Sequence, residues 1–123
     1  MGEKKSGRVF IPQEPMRKID GRMVSIMNFN NARKFGEPII LCQTGPAALN
    51  TMPTTWGLKD ALRDFCDEDY LICVGDPTLI GMSSAVASNA NRGKINYLKW
   101  DNELRMYIVV NFDLFQKLNQ LEG

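Results

Sequence analysis

The chain has 123 residues, of which 44% are hydrophobic and 24% charged, and its formal net charge is +1. This composition is typical of one globular domain, and no apolar run approaches the roughly 20 residues of a membrane-spanning helix. Histidine is absent and only three cysteines are present, which excludes Ser-His-Asp and Cys-His catalysis, zinc sites with imidazole ligands, and a four-cysteine zinc site.

The cysteines and the amino terminus predict where the protein resides. Cys42, Cys66 and Cys73 are odd in number and stand in apolar contexts, which favours buried reduced thiols over a disulfide framework. The basic amino terminus is not followed by the hydrophobic core of a signal peptide. We therefore expect a cytoplasmic protein, and the missing imidazole favours, without requiring, one that is not an enzyme and needs no cofactor.

The first third of the chain predicts a tail and a hairpin. Residues 1–7 are polar and predict a flexible tail, and residues 8–123 predict a single domain. Alternating apolar residues at 8–12 and 23–27 predict two short strands that pair as an N-terminal hairpin with an extended loop.

The middle of the chain predicts a strand, a connection and a helix. Apolar residues at 39–42 predict the strand, and residues 45–57, rich in proline, threonine and small residues, predict a long connection. Amphipathic spacing then predicts a helix over 58–66.

The clearest local signals surround Asp76. The apolar run 71–74 predicts a buried strand, after which Asp76 and Pro77 suit the cap and first position of a helix. Gly93 suits the helix end, and apolar character resumes at 95–100. A strand, a helix and a strand in this order predict a parallel pair with a right-handed crossover.

The end of the chain predicts a second hairpin between 95–100 and 104–112, followed by apolar residues at helical spacing over 113–121. The whole predicts an α/β single domain, a mixed sheet with a parallel β-α-β-α-β core, an N-terminal hairpin and a C-terminal hairpin. Strands 39–42, 71–74 and 95–100 are expected to be parallel. The side chains expected to be buried against them are Ala61, Leu62, Phe65, Leu79, Met82 and Val86.

Two carboxylates fall at the predicted carboxyl edge of the sheet, where open α/β sheets bind ligands. Asp76 and Asp101 follow two of the predicted parallel strands. If those strands are neighbours, the two carboxylates together suit a Mg²⁺ ion, as in a small metal- or nucleotide-binding enzyme. The plainer interpretation is that Asp76 caps a helix and Asp101 occupies a hairpin turn.

Charge is unevenly distributed along the chain. Residues 1–36 carry a net charge of +5 and the remainder −4, and such asymmetry can indicate a segment that faces a polyanion. Acidic residues cluster at 60–69, where a solvated face is the plainest interpretation. The basic residues that would contact nucleic acid are Lys4, Lys5, Arg8, Arg17, Lys18 and Arg22.

Exposed apolar side chains offer a different hypothesis, binding of a protein partner. Met52 and Trp56 in the predicted connection have no obvious core partner, and large flexible or aromatic groups suit recognition. The final apolar stripe could enter a groove of a partner or of a second copy. Its residues are Leu114, Phe115, Leu118 and Leu121. A small-residue side of the second helix, with Gly81, Ser84, Ala85 and Ser88, is a second way to form a homo-oligomer.

Three segments resemble short bacteriophage-encoded proteins of unknown function, including marine ones. They are Arg8-Val-Phe-Ile-Pro-Gln-Glu-Pro, Asp69-Tyr-Leu-Ile-Cys-Val-Gly-Asp-Pro and Leu98-Lys-Trp-Asp, and the resemblance spans most of residues 8–113. It implies a viral accessory protein that acts in a bacterial cytoplasm, and it carries no functional residues with it. The function we predict is non-enzymatic binding of another macromolecule, a host or phage protein.

Overall fold

The computed structural model describes residues 7–25, 28–42 and 51–118. Five strands form one mixed sheet, in which four are parallel and the last is antiparallel to its neighbour, and two further strands form a separate hairpin. The predicted α/β class is confirmed. The elements are β1 (Arg8–Gln13), β2 (Met16–Ile19), β3 (Arg22–Ser25), a 3-10 turn (Phe29–Ala32), β4 (Glu37–Cys42), α1 (Thr51–Leu62), β5 (Tyr70–Ile72), α2 (Pro77–Ala90), β6 (Lys94–Asp101) and β7 (Met106–Asp113).

The order of strands in the sheet is β4-β1-β5-β6-β7, which corrects the predicted pairing of the first strand. β1 lies between β4 and β5, parallel to both, instead of pairing with residues 23–27. Val9, Phe10 and Ile11 are fully buried, as a central parallel strand requires. The hairpin is formed by β2 and β3, whose turn residues Asp20 and Gly21 have φ of 51° and 79°, as a two-residue hairpin turn favours.

The first helix begins earlier than predicted. α1 includes part of the expected 45–57 connection and ends at Leu62 instead of residue 66. Pro53 is tolerated because the N–H groups of the first turn have no partner within the helix.

The second helix follows the prediction closely. Asp76 Oδ1 accepts a hydrogen bond from the Thr78 N–H (2.8 Å), Pro77 opens α2, and Gly93 has φ of 85° just after its end. The local sequence signals were therefore sufficient to predict this helix.

The core lies on both faces of the sheet. The two helices cover one face, where Leu62, Phe65 and Leu79 are buried as predicted, whereas Ala61, Met82 and Val86 are only half-buried. The 3-10 turn covers the other face through Ala32. The two buried clusters consist of Phe10, Leu62, Phe65, Leu71, Ala87 and Ile95 on the helix side, and of Val9, Ile11, Ala32, Ile72, Leu98 and Tyr107 on the other.

The cysteines are free thiols, and their burial was only partly predicted. Cys42 and Cys66 are half-buried, and burial raises the pKa of both thiols, so they stay protonated at neutral pH. Cys73 is exposed, because β5 ends at Ile72 and the chain leaves the sheet before Cys73.

Candidate binding surface

The chain turns after β7 and presents three apolar side chains, Leu114, Phe115 and Leu118, which we call the C-terminal surface. The Leu114 N–H donates to the Gly93 carbonyl (2.8 Å), and the Phe115 N–H donates to Asp113 Oδ1 (3.0 Å). The three side chains are 58%, 70% and 76% exposed, respectively. One bond to a main-chain carbonyl and one to the Asp113 side chain thus fix the backbone of the turn and leave its apolar groups in solvent.

Gly93 provides the space in which Phe115 rests. A Cβ atom at residue 93 would lie 2.8 Å from two carbon atoms of the Phe115 ring. Because real Cβ contacts are essentially never this close, a side chain at residue 93 would displace the ring. Gly93 thus follows the end of the second helix, after the C-cap Asn91 and Arg92 (φ 56°), and leaves space for the aromatic group of the C-terminal surface.

A groove of about 430 Å³ adjoins this surface, between α2 and the turn at Leu114 and Phe115. Ala85 and Ser88 from the predicted small-residue side of α2 line it. Ser84 does not, because its hydroxyl accepts a hydrogen bond from Tyr97 (2.8 Å) inside the domain. An apolar groove beside exposed apolar groups suits the side chains of a partner.

Trp56 is the other exposed partner-binding candidate. It lies on α1 rather than in a connection, is 64% exposed, and has the Lys59 ammonium 4.8 Å from its ring centroid. It is not among the residues lining the groove. The side chain of Met52 and all of Leu121 lie outside the described residues.

Arg8 has a structural partner. Its Nη2 lies 2.7 Å from Asp69 Oδ2, its backbone N–H and Nε donate to Asp69 Oδ1, and its Nη1 lies 3.1 Å from Asp64. Asp69 is fully buried and so departs from the expected solvated face, whereas the other four acidic residues of the cluster are exposed as expected. Burial alone would raise the pKa of Asp69, but hydrogen bonds from Arg8 and the Cys66 N–H outweigh it and lower that pKa. This geometry ties the start of β1 to the segment before β5.

The remaining described basic candidates lie on the separate hairpin. Arg17, Lys18 and Arg22 are exposed, beside the exposed apolar groups of Ile19 and Met23. Lys4 and Lys5 lie outside the described residues. The hairpin is therefore a basic ribbon with some apolar character.

The two carboxylates of the predicted metal site both serve the backbone. Asp76 caps α2, and Asp101 Oδ1 accepts hydrogen bonds from the N–H groups of Glu103 (2.9 Å) and Leu104 (2.8 Å). The Asp76 N–H in turn donates to Gln13 at the end of β1. Within residues 7–25, 28–42 and 51–118, no group of three or more Cys, Asp or Glu side chains is arranged to hold a metal ion. The metal site stays a prediction.

These features define a small α/β domain with an exposed apolar surface and a basic ribbon. A family model described as phage Pam3 gp32-like protein matches residues 7–114. The chain belongs to this family, and the resemblance to short phage proteins is confirmed. The match includes Trp56 and Leu114 but ends before Phe115. No curated protein and no solved structure matches the chain. No helix in the described part is long and apolar enough to cross a membrane.

Proposed function

We propose that this phage protein is a non-enzymatic accessory protein that binds another protein in the cytoplasm of the bacterial host. The observation that carries the proposal is the exposure of Leu114, Phe115 and Leu118, although the domain has a complete core without them. Burying apolar area contributes about 25 cal/mol per Å², so one Leu or Phe side chain contributes roughly 1.5–3 kcal/mol to binding.

The surroundings of the C-terminal surface suit an interface. A second groove of about 340 Å³ lies next to Phe112 and is lined mainly by polar residues, among them Lys94, Asn96 and Asn111. Apolar groups at the centre with polar groups around them are the usual composition of a specific protein interface. A partner of this surface would insert apolar side chains into the groove beside α2 and pair its polar groups with the rim.

A capture experiment with a matched control tests this proposal. The tagged full-length chain is used to capture proteins from host lysate, and each captured protein is then titrated against purified variants. Replacing Phe115 and Leu118 by Ser should weaken binding at least tenfold, since each lost contact exceeds about 1.4 kcal/mol. Leu104→Ser changes an equally exposed leucine in the β6–β7 turn and should bind as the wild type does. Equal affinity of all three proteins would contradict the proposal.

Trp56 is tested separately because it lies outside the groove. Trp56→Ala should weaken the same titration if α1 contributes to the interface, since exposed tryptophans are frequent energetic centres of interfaces. Lys59→Ala, which removes the cation over its ring but keeps the indole, is the matched control. Unchanged affinity of Trp56→Ala would restrict the interface to the C-terminal surface.

The basic ribbon supports a second candidate function, nonspecific nucleic-acid binding. A two-stranded ribbon is one of the shapes that the major groove of DNA admits, and Arg17, Lys18 and Arg22 would neutralise phosphates. Binding at about 50 mM salt should weaken steeply by about 200 mM and be lost in the triple alanine variant. A double variant of Arg33 and Lys34, which are exposed outside the ribbon, is the control. Absence of binding at the lower salt concentration would exclude this candidate.

A further inference from the structure

β7 forms one edge of the five-stranded sheet, and no other strand of the described residues pairs with its outer side. It is eight residues long, contains no Lys, Arg or Pro, and exposes apolar groups on both faces. The opposite edge differs, because β4 contains Glu37 and Pro38, and proline cannot donate to an added strand. The exposed side chains of β7 are Met106, Val109, Val110 and Phe112, each 40–43% exposed.

One hydrogen bond shows which backbone groups of β7 face away from β6. The Leu114 N–H donates to the Gly93 carbonyl, so these two residues form a hydrogen-bonded pair of the antiparallel ladder. Hydrogen-bonded and non-hydrogen-bonded pairs alternate along such a ladder. The pairing of β6 with β7 is uninterrupted, from the pair Lys94–Asp113 to the pair Asp101–Met106. The even-numbered residues of β7 therefore bond β6. Tyr107, Val109, Asn111 and Asp113 point their N–H and C=O groups outward.

We propose that β7 pairs antiparallel with β7 of a second copy of this chain, with Val109 on the twofold axis. This inference goes beyond the proposed binding of another protein and does not depend on it. In this register Val109 faces Val109, Tyr107 faces Asn111, and each of these outward residues exchanges two main-chain hydrogen bonds across the axis. The two sheets become one continuous ten-stranded sheet with an isologous interface.

The side chains favour a second copy over an unrelated strand, because the strand is complementary to itself. Phe112 comes opposite Met106 of the second copy, so two exposed apolar groups cover each other at both ends of the interface. A shift of one residue would bring non-matching backbone groups together.

Concentration-dependent measurements test the pairing. Sedimentation equilibrium between about 5 and 500 µM should show conversion from 13.9 kDa to twice that mass. Hydrogen exchange should slow with concentration at the N–H groups of Val109 and Asn111, whereas those of Ile108 and Val110 should be protected at every concentration. A monomer throughout this range, or a dimer whose Val109 and Asn111 exchange at the monomer rate, would overturn the proposal.

Substitutions test the register. Val109→Lys puts two like charges at the twofold axis and should raise the dissociation constant at least tenfold, while circular dichroism and thermal melting verify the fold. Ile40→Lys adds the same charge at an equally exposed apolar position of β4, the opposite edge strand, and should leave the dimer unchanged. A dimer that Val109→Lys and Ile40→Lys weaken equally, or that Val109→Lys does not weaken, would overturn this register.

Discussion

Removal of the Asp69 charge is the most direct test of what holds the first strand in the sheet. In Asp69→Asn the side chain keeps its shape but has one acceptor oxygen instead of two, while Arg8 still presents its guanidinium and backbone N–H and Cys66 its N–H. Removing one partner of a buried ion pair typically costs 3–5 kcal/mol. We expect a loss of about 3–5 kcal/mol in the free energy of unfolding, out of a typical total of about 5–15 kcal/mol.

The lowered pKa of Asp69 also predicts the direction in which stability changes with pH. Because the pKa of Asp69 is lower in the folded protein than in the unfolded chain, the unfolded state binds the proton more readily as the pH falls. The stability that Asp69 contributes is therefore fully present above the unfolded pKa, about 3.9, and is lost as the pH falls through the folded pKa. Asp69→Asn should lack this part of the acid dependence.

Urea denaturation at neutral pH and between about pH 3 and 7 measures both effects. Asp60→Asn is the matched control, because Asp60 is 81% exposed and its contact with Arg63 at 3.7 Å is a surface pair. It should change the free energy of unfolding by less than about 1 kcal/mol. If Asp69→Asn behaved like Asp60→Asn, in both magnitude and pH profile, the structural role assigned to the Arg8–Asp69 pair would be wrong.

Three further substitutions test other parts of the structure. Gly93→Ala combines a positive φ with a clash against Phe115, so it should lower the free energy of unfolding by about 1–2 kcal/mol and shift the Phe115 ring resonances. Leu98→Ala, at a fully buried position, should cost about 2–5 kcal/mol in urea denaturation. Asp76→Ala should lower stability by about 1 kcal/mol through loss of the helix cap, measured by thermal melting. The capping roles also predict that millimolar Mg²⁺ leaves the melting temperature unchanged, and a rise that Asp101→Asn abolished would instead establish the metal site.

The parts of the fold that could be predicted are those with local signals. Asp76, Pro77 and Gly93 each act within a few residues of their own position, so the strand–helix–strand segment around them was predicted closely. The pairing of β1 was not, because its partners at β4 and β5 lie about 30 and 60 residues away and an apolar strand carries no mark of its neighbours. One available signal was missed, since Asp20-Gly21 is a favoured two-residue hairpin turn and would have located β2 and β3.

The candidate site likewise has a part that could be predicted from the sequence and a part that could not. Apolar spacing singled out Leu114, Phe115 and Leu118 but could not tell a surface stripe from core packing, since their exposure depends on where the chain turns after β7. Arg8 was assigned to nucleic acid because a single sequence does not reveal that Asp69, 61 residues away, would be its buried partner. Thr and Gly around Trp56 favoured a connection, yet tertiary packing made this segment part of α1.

The apolar character of β7 is not required by the fold of the single chain. Its contribution to the core is Tyr107, and its other role is the backbone ladder with β6, which does not depend on side-chain type. Threonine at Val109 and Val110 would keep the β propensity and the pleat while making the edge polar. An edge strand with apolar groups on both faces is a hazard for a monomer, because it exposes unpaired N–H and C=O groups beside surface that can pair with any other strand. Pairing of β7 with a second copy, as proposed above, would satisfy these backbone groups and remove the hazard.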